Sequence, residues 1–130
     1  MAKDGKEWIE QAEYDFKTAQ AMFDAKRYVY TIFMCHLAIE KALKAIVLVE
    51  TKKLPPKTHE LIKLMTLGKT QLPMAMVDFV GIINNVAVVT RYPEDFKLLI
   101  KNYPKNVTKQ YLNRTAEVLK CLQKDPRLRA

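Results

Sequence analysis

The sequence of 130 residues contains no serine and only three glycines. The lack of serine excludes every mechanism that uses a serine hydroxyl as the nucleophile. The shortage of glycine argues against a β-sandwich or a barrel, because such folds need many tight turns. Glycine-rich phosphate loops and the CxxC, HExxH and GxSxG patterns are also missing. Their absence removes the usual sequence signatures of P-loop, redox, zinc-protease and hydrolase sites.

Cysteine is scarce, and the first residues do not resemble a secretion signal. Cys35 and Cys121 stand in helical contexts without a metal-ligand pattern, so we expect two reduced thiols and no metal or cofactor. The segment MAKDGKEWIE is charged and lacks the apolar core of a signal peptide. We therefore expect a cytoplasmic protein.

The longest stretch with few charges is residues 72–90, where Asp78 is the only charged residue before Arg91. A stretch of this length can cross a membrane. It also carries Pro73, Asn84 and Asn85, and the sequence has no second span of this kind. We therefore predict a buried helix and no membrane association.

Positive charge is concentrated in the second half of the chain. The formal net charge is +8, with 10 Lys and Arg against 9 Asp and Glu in residues 1–60, and 12 against 5 in residues 61–130. A basic half attracts phosphate backbones or an acidic protein partner. A solvated surface that only keeps the protein soluble is the alternative.

Lysines recur at every fourth position from Lys97 through Lys101 and Lys105 to Lys109, with tyrosines among them. Aromatic rings among cations suit the stacking of nucleic-acid bases. Pro104 interrupts any helix that would align these lysines, so a solvated basic face is the alternative.

Apolar residues recur at three- and four-residue steps through most of the chain, which predicts an all-α protein. We expect an up-and-down bundle of four to five helices. The predicted helices cover residues 4–25, 28–50, 59–67 and 73–92, then a connection (93–105) with one helical turn, and a last helix from Asn106 or Thr108 to about 122. No linker divides the chain, so residues 1–130 are predicted to form one domain, with a core of about 6–122 and a short, basic, frayed tail.

The second predicted helix, residues 28–50, is apolar almost all round. Such a helix must be covered on nearly every face, and a small bundle cannot easily do so. We therefore predict a homodimer in which the second or the fourth helix lies near the interface. Ala38, Ala42 and Ala45 would allow another helix to approach closely.

The two histidines of the chain are His36 and His59. His36, Glu40 and Lys44 follow each other at four-residue steps, so Glu40 and Lys44 are expected to pair on one helix face. His36 either takes part in this structural pairing or forms a metal-binding or general-base pair with Glu40. His59 follows Thr58, the predicted N-cap of the third helix, where an imidazole either packs or contacts a phosphate.

The sequence resembles the HEPN family in three segments: HLAIEKALKAIVL in the second helix, LPPKTHEL after it, and RYPED after the fourth helix. The resemblance covers about residues 6–122 and includes Trp8, Ala12, Asp15 and Ala19 of the first helix. It implies a compact helical bundle, usually a homodimer. Many members of the family are ribonucleases or ribonuclease-like toxins. Others are paired with a minimal nucleotidyltransferase in two-gene modules, or bind nucleotides or RNA without cutting.

The resemblance also implies a role for Arg91. Active members use an arginine followed about four to six residues later by a histidine, which moves the proton while the arginine holds the phosphate. Arg91 matches the arginine, but no histidine follows His59 in this chain. We therefore expect a non-catalytic dimer that binds nucleotide, RNA or a nucleotidyltransferase partner, as part of a toxin–antitoxin-type module. The predicted nucleotide- or RNA-binding residues are Arg91, Tyr92, Lys97 and Lys101.

Two alternatives stay open. One is a metal-independent ribonuclease, whose candidate catalytic residues are Arg91 and a histidine brought to it by the fold, either His59 or His36. The other is a protein-interaction module that binds no nucleic acid. The position of each histidine relative to Arg91 would distinguish the enzyme from the two binding functions.

Overall fold

The structure, a computed structural model, describes residues 4–89 and 96–129, and all regular structure in these residues is helical. The α-helices are α1 (Gly5–Asp24), α2 (Tyr28–Thr51), α3 (Leu61–Leu67), α4 (Met74–Val89), α5 (Phe96–Asn102) and α6 (Lys105–Gln123), followed by a 3₁₀ helix, Pro126–Arg129. The predicted all-α fold is confirmed, and two of these helices, α3 and α5, have only seven residues. Within the described ranges, no helix has the length and hydropathy needed to cross a membrane.

The centre of the bundle is α2. Its sequence is apolar almost all round, and it packs against α1, α3, α4, α5, α6 and the 3₁₀ helix. Of its 24 residues, Tyr30 alone is classed as exposed. The neighbours of α2 therefore come from its own chain, because six other helical elements pack around it. The premise that a second copy is needed to cover α2 was wrong.

The start of α3 differs from the prediction. Thr58 was expected to cap the helix, but Glu60 occupies the cap position and α3 begins at Leu61. Thr58 Oγ1 accepts a hydrogen bond from the Glu60 amide at 3.2 Å, and Asn84 Oδ1 accepts one from the Leu61 amide at 2.8 Å. A side chain from α4 thus satisfies a backbone donor of the first turn of α3, as a capping residue would. This bond joins α3 to α4.

The last helix also starts earlier than expected. Pro104 is the N-cap and α6 begins at Lys105, so the predicted start at Asn106 or Thr108 was wrong. Thr108 lies within the helix, and its hydroxyl donates a hydrogen bond to the Tyr103 carbonyl oxygen at 3.1 Å. Because proline has no amide hydrogen, it suits a helix start, and Pro104 also separates α5 from α6.

The C-terminal tail was expected to be frayed, and this was wrong. The Arg127 guanidinium donates hydrogen bonds to Glu50 Oε1 at 2.8 Å, to the Gly68 carbonyl oxygen at 2.6 Å and to Asp125 Oδ2 at 2.7 Å. These bonds hold the 3₁₀ helix against the C-terminal ends of α2 and α3. They also raise the pKa of Arg127, and hydrogen bonding from Arg127 lowers the pKa of Asp125.

Candidate functional site

Two of the sequence motifs meet at the Glu40 carboxylate. Glu40 lies on α2 and is 2% exposed. His59 Nδ1 lies 2.8 Å from Glu40 Oε1, and Lys44 Nζ donates to Glu40 Oε2 at 3.2 Å. The His59 side chain is 55% exposed, so its ring spans from the buried carboxylate to the protein surface. The predicted pairing of Glu40 with Lys44 is confirmed.

The bond to Glu40 fixes which nitrogen of His59 carries a proton. An ionised carboxylate only accepts hydrogen bonds, so His59 Nδ1 is the donor. In the neutral ring Nε2 then holds the lone pair, and in the protonated ring Nε2 is a second donor. The ring can therefore either take up a proton or donate a hydrogen bond to an anion at Nε2.

His36 supports the backbone of His59. His36 is 1% exposed, and its Nε2 lies 3.0 Å from the His59 carbonyl oxygen, which can only accept, so Nε2 donates. His36 Nδ1 lies 3.9 Å from Glu40 Oε1. One buried histidine thus positions the main chain of His59, while Glu40 orients its ring. His36 is a positioning residue because its burial keeps it from any ligand.

The first helix completes the surroundings of Lys44. The ammonium group lies 5.6 Å from the centroid of the Trp8 ring, within the range of a cation–π interaction. Next to Glu40 in the sequence, Lys41 Nζ donates to Asp15 Oδ2 at 2.8 Å and ties α2 to α1. In the described residues, no group of three or more His, Cys, Asp or Glu is arranged to hold a metal ion.

The pairing of Glu40 with His59 was missed in the sequence analysis. The two residues are 19 positions apart, and His59 lies in the irregular segment between α2 and α3. Helical periodicity relates residues within one helix and gives no distance from a helix to a loop. The available signal was the joint occurrence of HLAIEK and LPPKTHEL, which place Glu40 and His59 on either side of the connection through Pro55 and Pro56.

The predicted arginine site remains a prediction. Arg91 and Tyr92 lie outside the described residues, so their distances to His59 and His36 are not part of the structure. Asn84 of α4 hydrogen-bonds the Leu61 amide, two residues after His59, and α4 ends at Val89, two residues before Arg91 in the sequence.

The predicted basic site residues Lys97 and Lys101 lie on α5. Lys97 and Lys101 are both exposed, and α5 borders a cleft formed with the N-terminal end of α2, which includes Tyr30. Glu40 follows Tyr30 by ten positions, which is about 15 Å along an α-helix. These lysines therefore lie on α5 beside this cleft, and their contact with a ligand bound by Arg91 remains a prediction.

The tyrosines among the lysines pack on each other. Tyr103 and Tyr111 are both half-buried, with ring centroids 5.9 Å apart and planes at 88°. Burial raises the pKa of both phenols. The edge of one ring meets the face of the other, so the contact covers part of both rings, and base stacking on these tyrosines remains a prediction.

The fold and this arrangement of motifs define an α-helical protein of the HEPN class. The HEPN domain family model matches residues 6–125, so the chain belongs to this family. Its fold is similar to that of TT1696 from Thermus thermophilus, at 20% identity, a TM-score of 0.78, and coverage of 92% of this chain and 96% of that one. It is also similar to ST0689, an archaeal HEPN homologue, at 17% identity, a TM-score of 0.73, and coverage of 94% and 97%. No curated protein matches the sequence.

Proposed function

We propose that the protein is a non-catalytic HEPN dimer that binds the phosphate groups of a nucleotide or of RNA at His59. The observation that carries this proposal is the half-exposed imidazole, whose orientation is fixed by a carboxylate that is almost fully buried. Protonated His59 would donate from Nε2 to a phosphate oxygen, a charge-assisted hydrogen bond.

Charge on the rest of the surface supports an anionic ligand. The chain carries a net charge of +8, and Lys57 and Lys63, close to His59 in sequence, are both exposed. In this proposal Arg91 contacts a second phosphate oxygen and Tyr92 stacks or hydrogen-bonds. Lys97 and Lys101 add long-range attraction, which favours association with any polyanion.

Fluorescence anisotropy with a labelled single-stranded RNA or ATP tests this proposal at low and at high salt. His59→Ala and Arg91→Ala are each expected to weaken binding by about tenfold, the loss of one charge-assisted hydrogen bond. Lys120→Ala and Arg129→Ala serve as matched controls because both residues are exposed, and each should change the affinity by less than about threefold. The proposal would be contradicted if the affinity did not fall at high salt, or if His59→Ala and Arg91→Ala both bound the ligand with unchanged affinity.

The second candidate function is a metal-independent ribonuclease, and the contact between Glu40 and His59 favours it. A carboxylate that orients an imidazole is the arrangement with which many enzymes prepare a general base. His59 Nε2 would take the proton of the ribose 2′-hydroxyl as its oxygen bonds to the scissile phosphorus, and Arg91 would hold the phosphate. The bond from phosphorus to the 5′-oxygen would break, and water would protonate the departing 5′-oxygen. Incubation of RNA with the protein and EDTA tests this function. Cleavage that is lost in His59→Ala would support it, and intact RNA would exclude it.

We also propose that the homodimer forms through α4. Met74 and Ile82 on this helix are 75% and 47% exposed, whereas α2 is covered by its own chain.

Membership of the HEPN family supports a nucleotidyltransferase partner and a toxin–antitoxin-type module. The two thiols, neither in a disulfide, fit a cytoplasmic location.

A further inference from the structure

A cleft of about 120 Å³ lies between the N-terminal end of α2 and α5, away from His59. Most of the side chains that line it are apolar or aromatic, and three of them are partly open to solvent: Phe96 is 41% exposed, Ile100 is 52% exposed and Tyr30 is 53% exposed. Phe96 and Ile100 are four residues apart on α5, so they present one face to the cleft. Large apolar side chains exposed together on a short helix are typical of a surface that binds another molecule.

The surroundings of this cleft are basic. The charged residues that line it within the described part of the chain are Lys26 and Arg27. Lys97 and Lys101 each follow a lining residue of α5 by one position, so they flank the cleft about 100° round the helix. The cleft therefore combines an apolar floor with a cationic rim.

We propose that this cleft docks an acidic protein segment that carries a large apolar side chain. The apolar side chain would fill the space beside Phe96 and Ile100, where burial removes exposed apolar surface from water. Carboxylates on either side of it would face Lys26, Arg27 and Lys101. Such a segment supplies an apolar side chain that fills the cleft and negative charge that pairs with its cationic rim.

A second copy of this chain fits the cleft poorly. In a two-fold symmetric contact the same patch meets itself, so the cations of one rim would face the cations of the other. RNA fits less well than an acidic protein segment for a different reason. The Tyr28 ring already packs on Phe23, with centroids 5.5 Å apart, and the Tyr103 ring packs on Tyr111. Tyr30 and Phe96 are exposed rings that could stack on bases, but Ile100, which is as exposed as Tyr30, is aliphatic and suits an apolar side chain better than a base.

Selection of short random peptides displayed on phage, with the whole chain as the bait, tests the docking site. The selected peptides are expected to be acidic around one large apolar residue. Their affinity, measured by anisotropy with synthetic copies, should fall by about tenfold in Ile100→Ser and in Lys101→Glu. Both residues are exposed, so neither change should disturb folding.

Two matched variants serve as controls. Ile62→Ser removes an exposed isoleucine from α3, and Lys120→Glu reverses a lysine in the last turn of α6, as Lys101 is in the last turn of α5. Both should bind the selected peptides like the original protein. The docking site is wrong if no peptide is selected, if basic peptides are selected, or if the α5 variants bind peptides normally. It is also wrong if those variants lose affinity for a single-stranded RNA and not for peptides. Since His59 lies elsewhere, failure here leaves phosphate binding at His59 untouched.

Discussion

At the scale of single residues, the candidate site depends on the contacts of Glu40. A buried carboxylate is stable only when its charge is compensated, and here Lys44 and His59 both bond to it. The same bonds fix the ring that faces solvent. The residue that stabilises the site is thus also the one that orients its accessible group.

Replacement of Glu40 is expected to destabilise the fold. In Glu40→Ala the Lys44 ammonium, whose side chain is 9% exposed, would lose its carboxylate partner, which costs about 3 kcal/mol or more in the free energy of unfolding. Urea denaturation measures this value. The more exposed pair of Lys69 and Glu50 is the control, and Lys69→Ala should cost less than half as much. Equal losses for the two variants would show that Glu40 has no special role.

The buried thiol of Cys35 is expected to make the free energy of unfolding depend on pH in the alkaline range. Burial raises the pKa of this thiol to about 12 from the ordinary value of 9.0. Between pH 9 and 12 the unfolded thiol loses its proton while the folded one keeps it, so the free energy of unfolding falls as pH rises. Below pH 9 this contribution is fully present.

Urea denaturation at pH 7.5 and at about pH 10 checks this effect. Cys35→Ala should lose less stability than the original protein over that interval. Cys121→Ala, which changes a half-buried thiol, should lose as much as the original protein. If the free energy of unfolding fell equally in Cys35→Ala and Cys121→Ala over this interval, groups other than Cys35 would be responsible for the alkaline sensitivity.

Single-residue contacts also mark the limit of what the sequence predicts. The pair of Glu40 and Lys44 was predictable because four-residue spacing places two side chains together on any helix. The contact of Glu40 with His59 depends on the path of the chain through Pro55 and Pro56, which no periodicity describes. Arg91 was identified by resemblance to the HEPN family, because no periodicity within the chain marks it.

How accurately the bounds of a helix were predicted depends on whether local or distant residues determine them. Both ends of α1 and α2 lie within one residue of the predicted bounds, because local hydrophobic spacing sets them. The start of α3 was missed because Asn84, a residue of α4, bonds its first amide. The 3₁₀ helix was missed because Arg127 bonds carbonyl oxygens distant in sequence.

The 3₁₀ helix is expected to stabilise the C-terminal ends of α2 and α3. Arg127→Ala should lower the free energy of unfolding by about 1–2 kcal/mol, since the lost hydrogen bonds involve charged but partly exposed groups. It should also speed amide hydrogen exchange in α3. Arg129→Ala, an exposed arginine of the same 3₁₀ helix, should do neither. Unchanged exchange in Arg127→Ala would contradict this role.

The same contact should weaken in acid. Hydrogen bonding from Arg127 lowers the pKa of Asp125 below its ordinary value of 3.8. This contribution is present above pH 3.8 and is lost as the pH falls through the lowered pKa. The stability difference between Arg127→Ala and the original protein should therefore shrink at low pH, measured by urea denaturation at about pH 6 and at about pH 3.

At the scale of the whole molecule, the bundle covers α2 and leaves α4 as the candidate dimer surface. Light scattering at micromolar concentration should give twice the monomer mass of 15.1 kDa. Ile82→Glu would place a charge in the interface and should give a monomer. Leu54→Glu, at a residue that is 67% exposed between α2 and α3, is the control and should stay dimeric. A monomer in the original protein would refute dimerisation.

The most direct measurement of the central claim is an NMR titration of the His59 ring nitrogens with a single-stranded RNA or ATP. Phosphate binding at His59 predicts a saturable shift of Nε2 that weakens at high salt. In Glu40→Gln, where an amide replaces the carboxylate, the shift should be smaller and need more ligand. If Nε2 of His59 does not shift while the ligand binds elsewhere, the protein does not bind phosphate at this site.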